Sequence, residues 1–478
     1  MLACRNALRH ARTTNHATRR RLHVQVDLLD DLKSRGLVSD ITRPDILHAE
    51  IKRGRQVVYA GVDPTASYLH VGHLLPLLCL LHFQIRGHHI IPLIGGATGL
   101  IGDPSGRSTE RPLSEASVVE RNVKALTGAV HSFFQSALSY ARTRFPVSDT
   151  PILEPDVRNN LEWLQGLGLL EFLRTVGVHS RVNAMLARES VRARLASQQG
   201  ISFTEFTYQL LQSYDFLTLH RRAGCTIQIG GSDQWGNIVA GIDLINRTAA
   251  GAGPISDAAP ETVEKGFGIV TPLLTTASGE KFGKSAGNAI ALDERVTSVF
   301  DFYQFFVRTP DADVGRYLQM FTLLPLERVD EVMKTHADAP EKRIAQRLLA
   351  SEVTELVHGK DGLQRALTAT AVLYDNDLTS TPAEALIASL RGLPLFHSIP
   401  SSDLFALTVP QLAARFKLAS SNGAARQLVA AQGLYVNNQP VSAPQQRLTT
   451  ADLLDGRLVI LRAGKQKQAV IAVSDTAL

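Results

Sequence analysis

The chain has 478 residues, a length that predicts two to four domains rather than a single core. Hydrophobic residues make up 44% of it and charged residues 20%, as in typical globular proteins. No apolar run approaches the ~20 residues that span a bilayer, so a membrane protein is not expected. The three cysteines, Cys4, Cys79 and Cys225, have neither disulfide nor zinc-ligand spacing, and a structural metal is not indicated.

The first 26 residues are strongly basic. They contain six arginines and no acidic residue, and therefore account for more than the whole formal charge of +5. An Arg-rich, acid-free N-terminus with Ser, Thr and small apolar residues is typical of a mitochondrial transit peptide, which we predict for residues 1–26. The alternative is a disordered basic arm that binds RNA.

Strands and helices alternate in the next part of the chain. Apolar runs predict a strand at 57–61 and a helix at 74–83, and short strand-like runs recur at 226–229 and 268–271. This order predicts a parallel α/β sheet of Rossmann type, in which ligands bind beyond the carboxyl ends of the strands. Because His70, Asp103 and Asp233 each follow such a run, we expect them to converge there.

Two short segments have the chemistry of a phosphate site. The first lies on a strand-to-helix turn, where helix N–H groups face anions and two histidines three apart point to the same side: His70-Val71-Gly72-His73. The second places two lysines on a glycine-containing loop, which suits a pyrophosphate leaving group: Lys281-Phe282-Gly283-Lys284-Ser285. A zinc site is not expected, because the metalloprotease pattern has histidines four apart with an adjacent Glu.

The remaining segments are predicted from apolar spacing and turn residues. Residues 110–202 are expected to form a helical insertion whose excess apolar residues belong either to a core or to a subunit interface. Helices are expected again over 291–395. The last part, 396–478, should contain a helix at 423–431 that ends at Gly433, a strand at 434–436 and a hairpin turn at Asn437-Asn438.

The two segments resemble the signature motifs of class I aminoacyl-tRNA synthetases. Longer strings narrow the resemblance to the tyrosyl-tRNA synthetases of bacterial and organellar type, from about residue 27 to the C-terminus, and five motifs in the right order are a specific signal. The strings are Tyr59-Ala60-Gly61-Val62-Asp63-Pro64-Thr65, Gly95-Gly96-Ala97-Thr98-Gly99-Leu100-Ile101-Gly102-Asp103-Pro104-Ser105-Gly106, Ser202-Phe203-Thr204-Glu205-Phe206-Thr207-Tyr208 and Gly230-Gly231-Ser232-Asp233-Gln234-Trp235-Gly236-Asn237.

The resemblance implies a fold and a reaction. The expected fold is a Rossmann-type catalytic domain (27–290) with the helical insertion, then a helical anticodon-binding domain (291–395) and a small α+β module (396–478) that resembles S-four-type RNA-binding modules. Tyrosine would react with ATP to give tyrosyl-adenylate and pyrophosphate, and the tyrosyl group would then pass to the 3′ end of tRNA(Tyr). Mg²⁺ is expected with ATP, without a protein metal site. The family is homodimeric through the insertion, and we expect a homodimer in the mitochondrial matrix.

Site residues carry over from the family by their place in these motifs. The implied catalytic residues are Thr65, His70, His73, Lys281 and Lys284. The implied tyrosine ligands are Tyr59, Asp63, Asp103, Tyr208, Gln212, Asp215 and Gln234. The implied ATP ligands are Gly61, His70, Gly72, His73, Gly231, Asp233 and Lys284. The basic tail suggests tRNA contacts at Arg415, Lys417 and Arg426.

Some residues depart from the family pattern, and rival functions remain open. Ala60 stands where many relatives have Cys, Arg107 where Lys is usual, and Ala291 where a bulky aromatic residue is common. The rivals are a tryptophanyl-tRNA synthetase, an RNA-binding factor such as a group I intron splicing protein, and a paralogue without catalysis. Against the first, a Tyr59/Asp215 pair would have no phenol to bind; against the last, the signature lysines and histidines are intact.

Overall fold

The computed structural model describes residues 27–107, 109–145, 151–196, 200–249, 265–276, 279, 284–285, 288–374, 382–393, 395–464 and 467–474, with the side chains at 284, 285, 288 and 372–374 left out. The predicted transit peptide, Lys281 and residues 375–381 of the predicted helical region therefore lie outside the described residues. No helix within these ranges has both the length and the apolar character needed to cross a membrane.

A six-stranded sheet organises the first half of the chain. Its strands are β1 (Asp40–Ile41), β2 (Val57–Val62), β3 (His89–Ile94), β4 (Arg158–Asn159), β5 (Ile227–Gly231) and β6 (Phe267–Thr271). Their spatial order is β1-β6-β5-β2-β3-β4, and every pair is parallel except β1 with β6. The chain leaves β2 toward β3 on one side, while β5 lies on the other side. This strand order and the parallel pairs confirm the predicted Rossmann-type architecture. In such sheets ligands bind in the crevice where the strand order reverses.

Helices cover both faces of this sheet. They are α1 (Leu28–Ser34), α2 (Pro44–Arg53), α3 (Leu74–Gln84), α4 (Ala116–Arg144), α5 (Leu161–Leu164), α6 (Leu169–Thr175), α7 (Val182–Leu186), α8 (Glu189–Leu195), α9 (Phe203–Ala223) and α10 (Trp235–Ala249). Helix α3 is buried almost all round, as its continuous apolar sequence predicts. Ser202 caps α9, and Gly224 ends it with φ +66°.

The segment predicted as a helical insertion has two different parts. Strand β4 pairs with β3 at the edge of the sheet, and α4 contributes Leu126, Val130 and Phe134 to the main core. The short helices α5 to α8 follow, with α6 burying no residue completely. Residues 110–202 are therefore not helical throughout. Strand β4 was not predicted, because a two-residue edge strand is too short to show a period in the sequence.

The predicted helices of the next region are present. All but the last pack on the same core, and the last packs against strands near the C-terminus. The helices are α11 (Val299–Val307), α12 (Asp311–Phe321), α13 (Leu326–Asp338), α14 (Ile344–Tyr374) and α15 (Ala383–Leu390), preceded by the strand pair β7 (Lys284–Ser285) and β8 (Asn288–Ala289). Helix α14 is interrupted at Gly359, where φ is +70°. Tyr140 and Arg144 of α4 hydrogen-bond Glu352 of α14 at 2.8 and 3.1 Å, which ties the two regions together.

The C-terminal module has its own core and a five-stranded sheet in the order β11-β10-β12-β13-β9. Its elements are β9 (Phe396–Ile399), α16 (Ser401–Ala406), α17 (Val409–Arg415), α18 (Asn422–Ala430), β10 (Leu434–Val436), β11 (Gln439–Pro440), β12 (Leu458–Ala463) and β13 (Lys467–Val473). The predicted hairpin is confirmed, with φ of +47° at Asn437 and +66° at Asn438. The helix stop is not Gly433: Gln432, with φ +51°, takes the left-handed position one residue earlier.

Candidate active site

A cavity of about 490 Å³ opens beyond the carboxyl ends of β2, β3, β5 and β6. It brings together predicted residues from five separate parts of the chain: Tyr59, Gly61, Asp63, Thr65, His70, Gly72, His73, Asp103, Tyr208, Gln212, Asp215, Gly231, Asp233 and Gln234. Lys281 lies outside the described residues. Lys284 belongs to β7, but its side chain is not described.

A buried phenol and a buried carboxylate lie in the wall of this cavity. Tyr59 is 1% exposed, and its hydroxyl has no hydrogen-bond partner among the described residues. Burial, followed by the negative charge of Asp215, raises the pKa of Tyr59 well above its ordinary value, so the phenol stays neutral. Burial also raises the pKa of Asp215 to about 7. A neutral Tyr59 hydroxyl can still donate one hydrogen bond and accept another.

Two donors that the sequence did not reveal hold Asp215. The Asn160 amide donates to one carboxylate oxygen at 3.0 Å, and the Trp163 indole donates to the other at 2.7 Å. Both bonds favour the ionised carboxylate and oppose the effect of burial on its pKa. Asn160 follows β4, so the rule that predicted Asp103 would also have found it, had β4 been recognised.

A second group of carboxylates lies along the same wall. Asp63 accepts hydrogen bonds from the Tyr208 hydroxyl at 2.7 Å and the Thr98 hydroxyl at 2.8 Å. Its pKa is raised to about 6, mainly by burial and also by the neighbouring charge of Asp103. Asp103 accepts from the Gln234 amide at 2.7 Å. Acceptors of this density suit an ammonium group, which carries three donors and no acceptor.

An amide network links the glutamines predicted as substrate ligands. Asn237, which sequence reasoning missed, donates from one amide nitrogen toward Gln212 at 3.0 Å, Gln234 at 3.2 Å and Ser105 at 3.3 Å. The Gln228 amide, also missed, lines the cavity, and its oxygen has no partner among the described residues. This network fixes the orientation of Gln212 and Gln234 relative to the carboxylates.

The two histidines form a stacked pair at the start of α3. Their rings stack with centroids 3.9 Å apart. The Gly72 N–H donates to His70 Nδ1, and the His70 N–H donates to His73 Nδ1, both at 3.1 Å. An Nδ1 that accepts a hydrogen bond carries no proton, so each ring carries its proton on Nε2. Burial, then the adjacent His70, lowers the pKa of His73 to about 3, which keeps it neutral.

Glycines allow close approach where side chains would collide. A Cβ on Gly72 would lie 2.8 Å from the His70 ring, and one on Gly95 would lie 2.1 Å from a carboxylate oxygen of Asp63. A Cβ on Gly231 would lie 2.6 Å from an Asp233 oxygen. These distances are shorter than any van der Waals contact, which explains the glycine-rich strings physically.

The segment that follows the lysine signature is paired with the histidine turn. The Val71 N–H donates to the Ile290 carbonyl at 3.0 Å, and the Leu292 N–H donates to the Leu69 carbonyl at 2.8 Å. Ala291, between them, is fully buried against His70. Main-chain pairing therefore joins the two signature regions, although they are far apart in sequence.

The predicted tRNA contacts lie on the C-terminal module and not in the cavity. Arg415 ends α17 and pairs with Asp403 at 3.2 Å, Lys417 occupies the following turn with φ +59°, and Arg426 is exposed on α18. Within the described ranges, no group of three or more His, Cys, Asp or Glu side chains is arranged to hold a metal ion.

Comparisons with known proteins identify the family of the chain. The family model of the tRNA synthetases class I (W and Y) matches residues 52–375, and that of the tyrosine–tRNA ligase SYY-like C-terminal domain matches residues 394–471. The chain is 42% identical over 446 residues to a tyrosine–tRNA ligase of Roseiflexus castenholzii, covering 93% of this chain and 99% of that one. It is 40% identical over 453 residues to the mitochondrial tyrosine–tRNA ligase of Saccharomyces cerevisiae, covering 93% and 88%. A C-terminally truncated mitochondrial tyrosyl-tRNA synthetase of Aspergillus nidulans superposes with a TM-score of 0.65 at 37% identity, over 72% of this chain and 93% of that one.

Proposed function

The chain belongs to the class I tRNA synthetases for tryptophan and tyrosine, and among them to the tyrosine–tRNA ligases, and from that premise we propose that it charges tRNA(Tyr) in mitochondria. The observation that carries the proposal is one cavity with a buried phenol and carboxylate in its wall and a pair of imidazole Nε2–H groups at its helix terminus.

Tyrosine would bind along the wall that carries the carboxylates. The phenol of the substrate would meet Tyr59 and Asp215, because a hydroxyl that both donates and accepts satisfies a buried pair of this kind. Its ammonium group would meet Asp103, Tyr208 and Gln212. Phenylalanine would leave the buried groups unpaired, which is how a polar pocket rejects an apolar analogue.

ATP would bind between the helix terminus and β5. His70 and His73 present ring N–H donors, that of His73 on a neutral ring, and Thr65 lies exposed beside them. Gly231 and Asp233 would contact the ribose side of the nucleotide. Lys281 and Lys284 would stabilise the departing pyrophosphate, and Mg²⁺ would neutralise triphosphate charge when bound with ATP. No covalent enzyme intermediate is required, since tyrosine itself attacks the α-phosphate.

The second step would use the C-terminal module for tRNA. Arg415, Lys417 and Arg426 follow one another along two consecutive helices and their connecting turn, which gives a basic strip for the phosphate backbone. Charging should therefore depend on salt, while adenylate formation should not depend on this module.

Two further features of the proposal concern location and assembly. The acid-free arginine-rich residues 1–26 support import into the mitochondrial matrix. The bacterial relative is as similar as the yeast mitochondrial one, so similarity alone does not distinguish them. Exposed apolar side chains on and beside the short helices support a homodimer through this face: Leu169, Leu170, Leu173, Val178, Val182, Leu186, Leu195 and Phe203.

Amino-acid-dependent exchange of pyrophosphate into ATP tests the chemistry. Tyrosine, tryptophan and phenylalanine would be compared with the wild type and Lys284→Ala. We expect exchange with tyrosine alone, and its loss in the variant. Exchange with tryptophan, or with none of the three, would refute the proposal.

Fusion of residues 1–26 to a fluorescent reporter tests location, and a reporter that remains in the cytosol would contradict mitochondrial import.

A further inference from the structure

A fully buried ion pair lies behind the carboxylate wall. Glu205 and Arg194 approach to 2.8 Å, and their side chains are 1% and 0% exposed. Removing two charges from water costs about as much as their attraction returns, so a buried ion pair is weak grounds for stability. The role of this ion pair is therefore more readily explained by the neighbouring main chain that Glu205 contacts.

The Glu205 side chain does not make the helix-capping contact that its sequence position predicts. Ser202 and Glu205 have the spacing of a capping box, in which the glutamate would accept from the main chain of the serine. The serine side of the box forms, with its hydroxyl accepting the Glu205 N–H at 3.3 Å. The Glu205 carboxylate instead accepts the N–H of Arg111 at 3.1 Å, from a distant part of the chain. A local preference given up for a long-range contact is typical of functional positions.

Arg111 connects this contact to the cavity. Its Nε donates to the main-chain carbonyl of Asp103 at 3.0 Å, and its side chain lines the cavity wall. Its methylene groups pack over Gly102, which has φ +90° and where a Cβ would lie 3.1 Å from the arginine. Among the described residues that line the cavity, Arg111 is the one Lys or Arg.

We propose that Glu205 and Arg194 are positioning residues for tyrosyl-adenylate formation: the carboxylate holds the main chain at Arg111, and Arg194 holds the carboxylate. The inference rests on the function proposed above and adds residues that touch neither substrate. Arg194 lies on α8, so the pair also connects the short helices after β4 to the wall that contains Asp103.

Two double variants separate positioning from stability. Arg194→Met with Glu205→Gln removes both charges but keeps an amide oxygen that accepts the Arg111 N–H. Arg194→Met with Glu205→Met removes the charges and the acceptor together, with a side chain of similar length. Neither leaves an unpaired buried charge, which is the usual reason that single variants of such pairs fail to fold.

The readouts are the single-turnover rate of adenylate formation, tyrosine affinity by equilibrium binding, and urea unfolding. We expect the Gln variant to retain a rate within about 3-fold of the wild type. The Met variant should lose up to about 10²-fold, the cost of misplacing a reacting group by about 1 Å. Tyrosine affinity should change little in either. In an Arg111→Ala background the two variants should have equal rates, because the main-chain contact of Glu205 then has no guanidinium to position.

Three results would overturn the inference. Equal rates for the two double variants would mean that the acceptor on residue 205 is irrelevant. A rate loss that follows the loss of unfolding free energy would mean a structural role only. A difference between the variants that persists in the Arg111→Ala background would mean that Glu205 does not act through Arg111. A wild type without tyrosine-dependent exchange would instead refute the proposed function, and this inference with it.

Discussion

Asn160 offers a direct test of how the buried carboxylate is held. This residue is 0% exposed; its amide nitrogen lies 3.0 Å from both Asp215 and the Thr98 hydroxyl, and its oxygen accepts the Ala97 N–H at 2.8 Å. A hydrogen bond to a charged group contributes about 1.5–3 kcal/mol. Asn160→Ala should therefore weaken tyrosine binding by about 10- to 150-fold at pH 8.

Asn160→Ala should also change how kcat/KM for tyrosine depends on pH. Without the amide donor the ionised form of Asp215 is less stable, so its pKa should rise further above about 7. The acid limb of the profile of kcat/KM for tyrosine should then move to higher pH. Asn160→Asp keeps the acceptor for the Ala97 N–H but places a second carboxylate about 3 Å from Asp215. Its loss of affinity at pH 8 should exceed that of the alanine variant.

The matched control is Gln84→Ala. Gln84 is also 0% exposed and donates one amide hydrogen bond, to the Leu153 carbonyl at 2.8 Å, at the far end of α3 from the histidines. It should lose stability in urea unfolding without changing tyrosine affinity. The reasoning is refuted if folded Asn160→Ala binds tyrosine within about 3-fold of the wild type at pH 8, or if the control loses as much affinity.

Other predictions follow from the same cavity and surface. Burial raises the pKa of Asp63 to about 6 and of Asp215 to about 7. The ammonium group of tyrosine would favour the ionised form of Asp63, and a hydrogen bond donated by its phenol would favour that of Asp215, so tyrosine binding should release protons below about pH 7 and weaken as the pH falls. Calorimetry in two buffers measures this, and an affinity that does not change between pH 5.5 and 8 would contradict it. Gly95→Ala should lower the unfolding free energy by about 1–3 kcal/mol through overpacking against Asp63, whereas Gly128→Ala, exposed within α4, should raise it by up to about 1 kcal/mol; urea unfolding decides. Leu170→Glu, at a side chain 77% exposed, should convert a dimer to a monomer in light scattering, and an unchanged mass would exclude this face as the interface.

The convergence of three cavity residues could be predicted from local order, whereas most of the others were predicted from the family resemblance. The strand at 57–62 and the helix from Leu74 follow from apolar runs, and the histidine turn lies between them. Asp103 and Asp233 follow strands whose carboxyl ends meet at one edge of a parallel sheet. Their convergence therefore needed no knowledge of long-range contacts.

The roles of Trp163 and Glu205 depend on contacts that no local pattern encodes. Trp163 belongs to a four-residue helix after a two-residue strand, and both are too short to give a hydrophobic period. Glu205 has the sequence signature of a cap, yet its carboxylate contacts Arg111. Tertiary context overrides the local preference in such cases, and only the folded structure reveals which one prevails.

The charges of the cavity wall bear on the proposed role of the second signature segment. Among the described residues that line it, four are aspartates and one is an arginine, so the wall attracts an ammonium group and repels a triphosphate. The neutral Nε2–H donor of His73 lessens this repulsion but cannot reverse it, because it carries no net charge. Positive charge must therefore arrive with the nucleotide or from outside the described wall. In the function proposed above, the lysines of the second signature and Mg²⁺ would supply it, in a step in which negative charge develops on pyrophosphate. On this argument, replacing both lysines should reduce the rate of adenylate formation far more than it reduces tyrosine affinity.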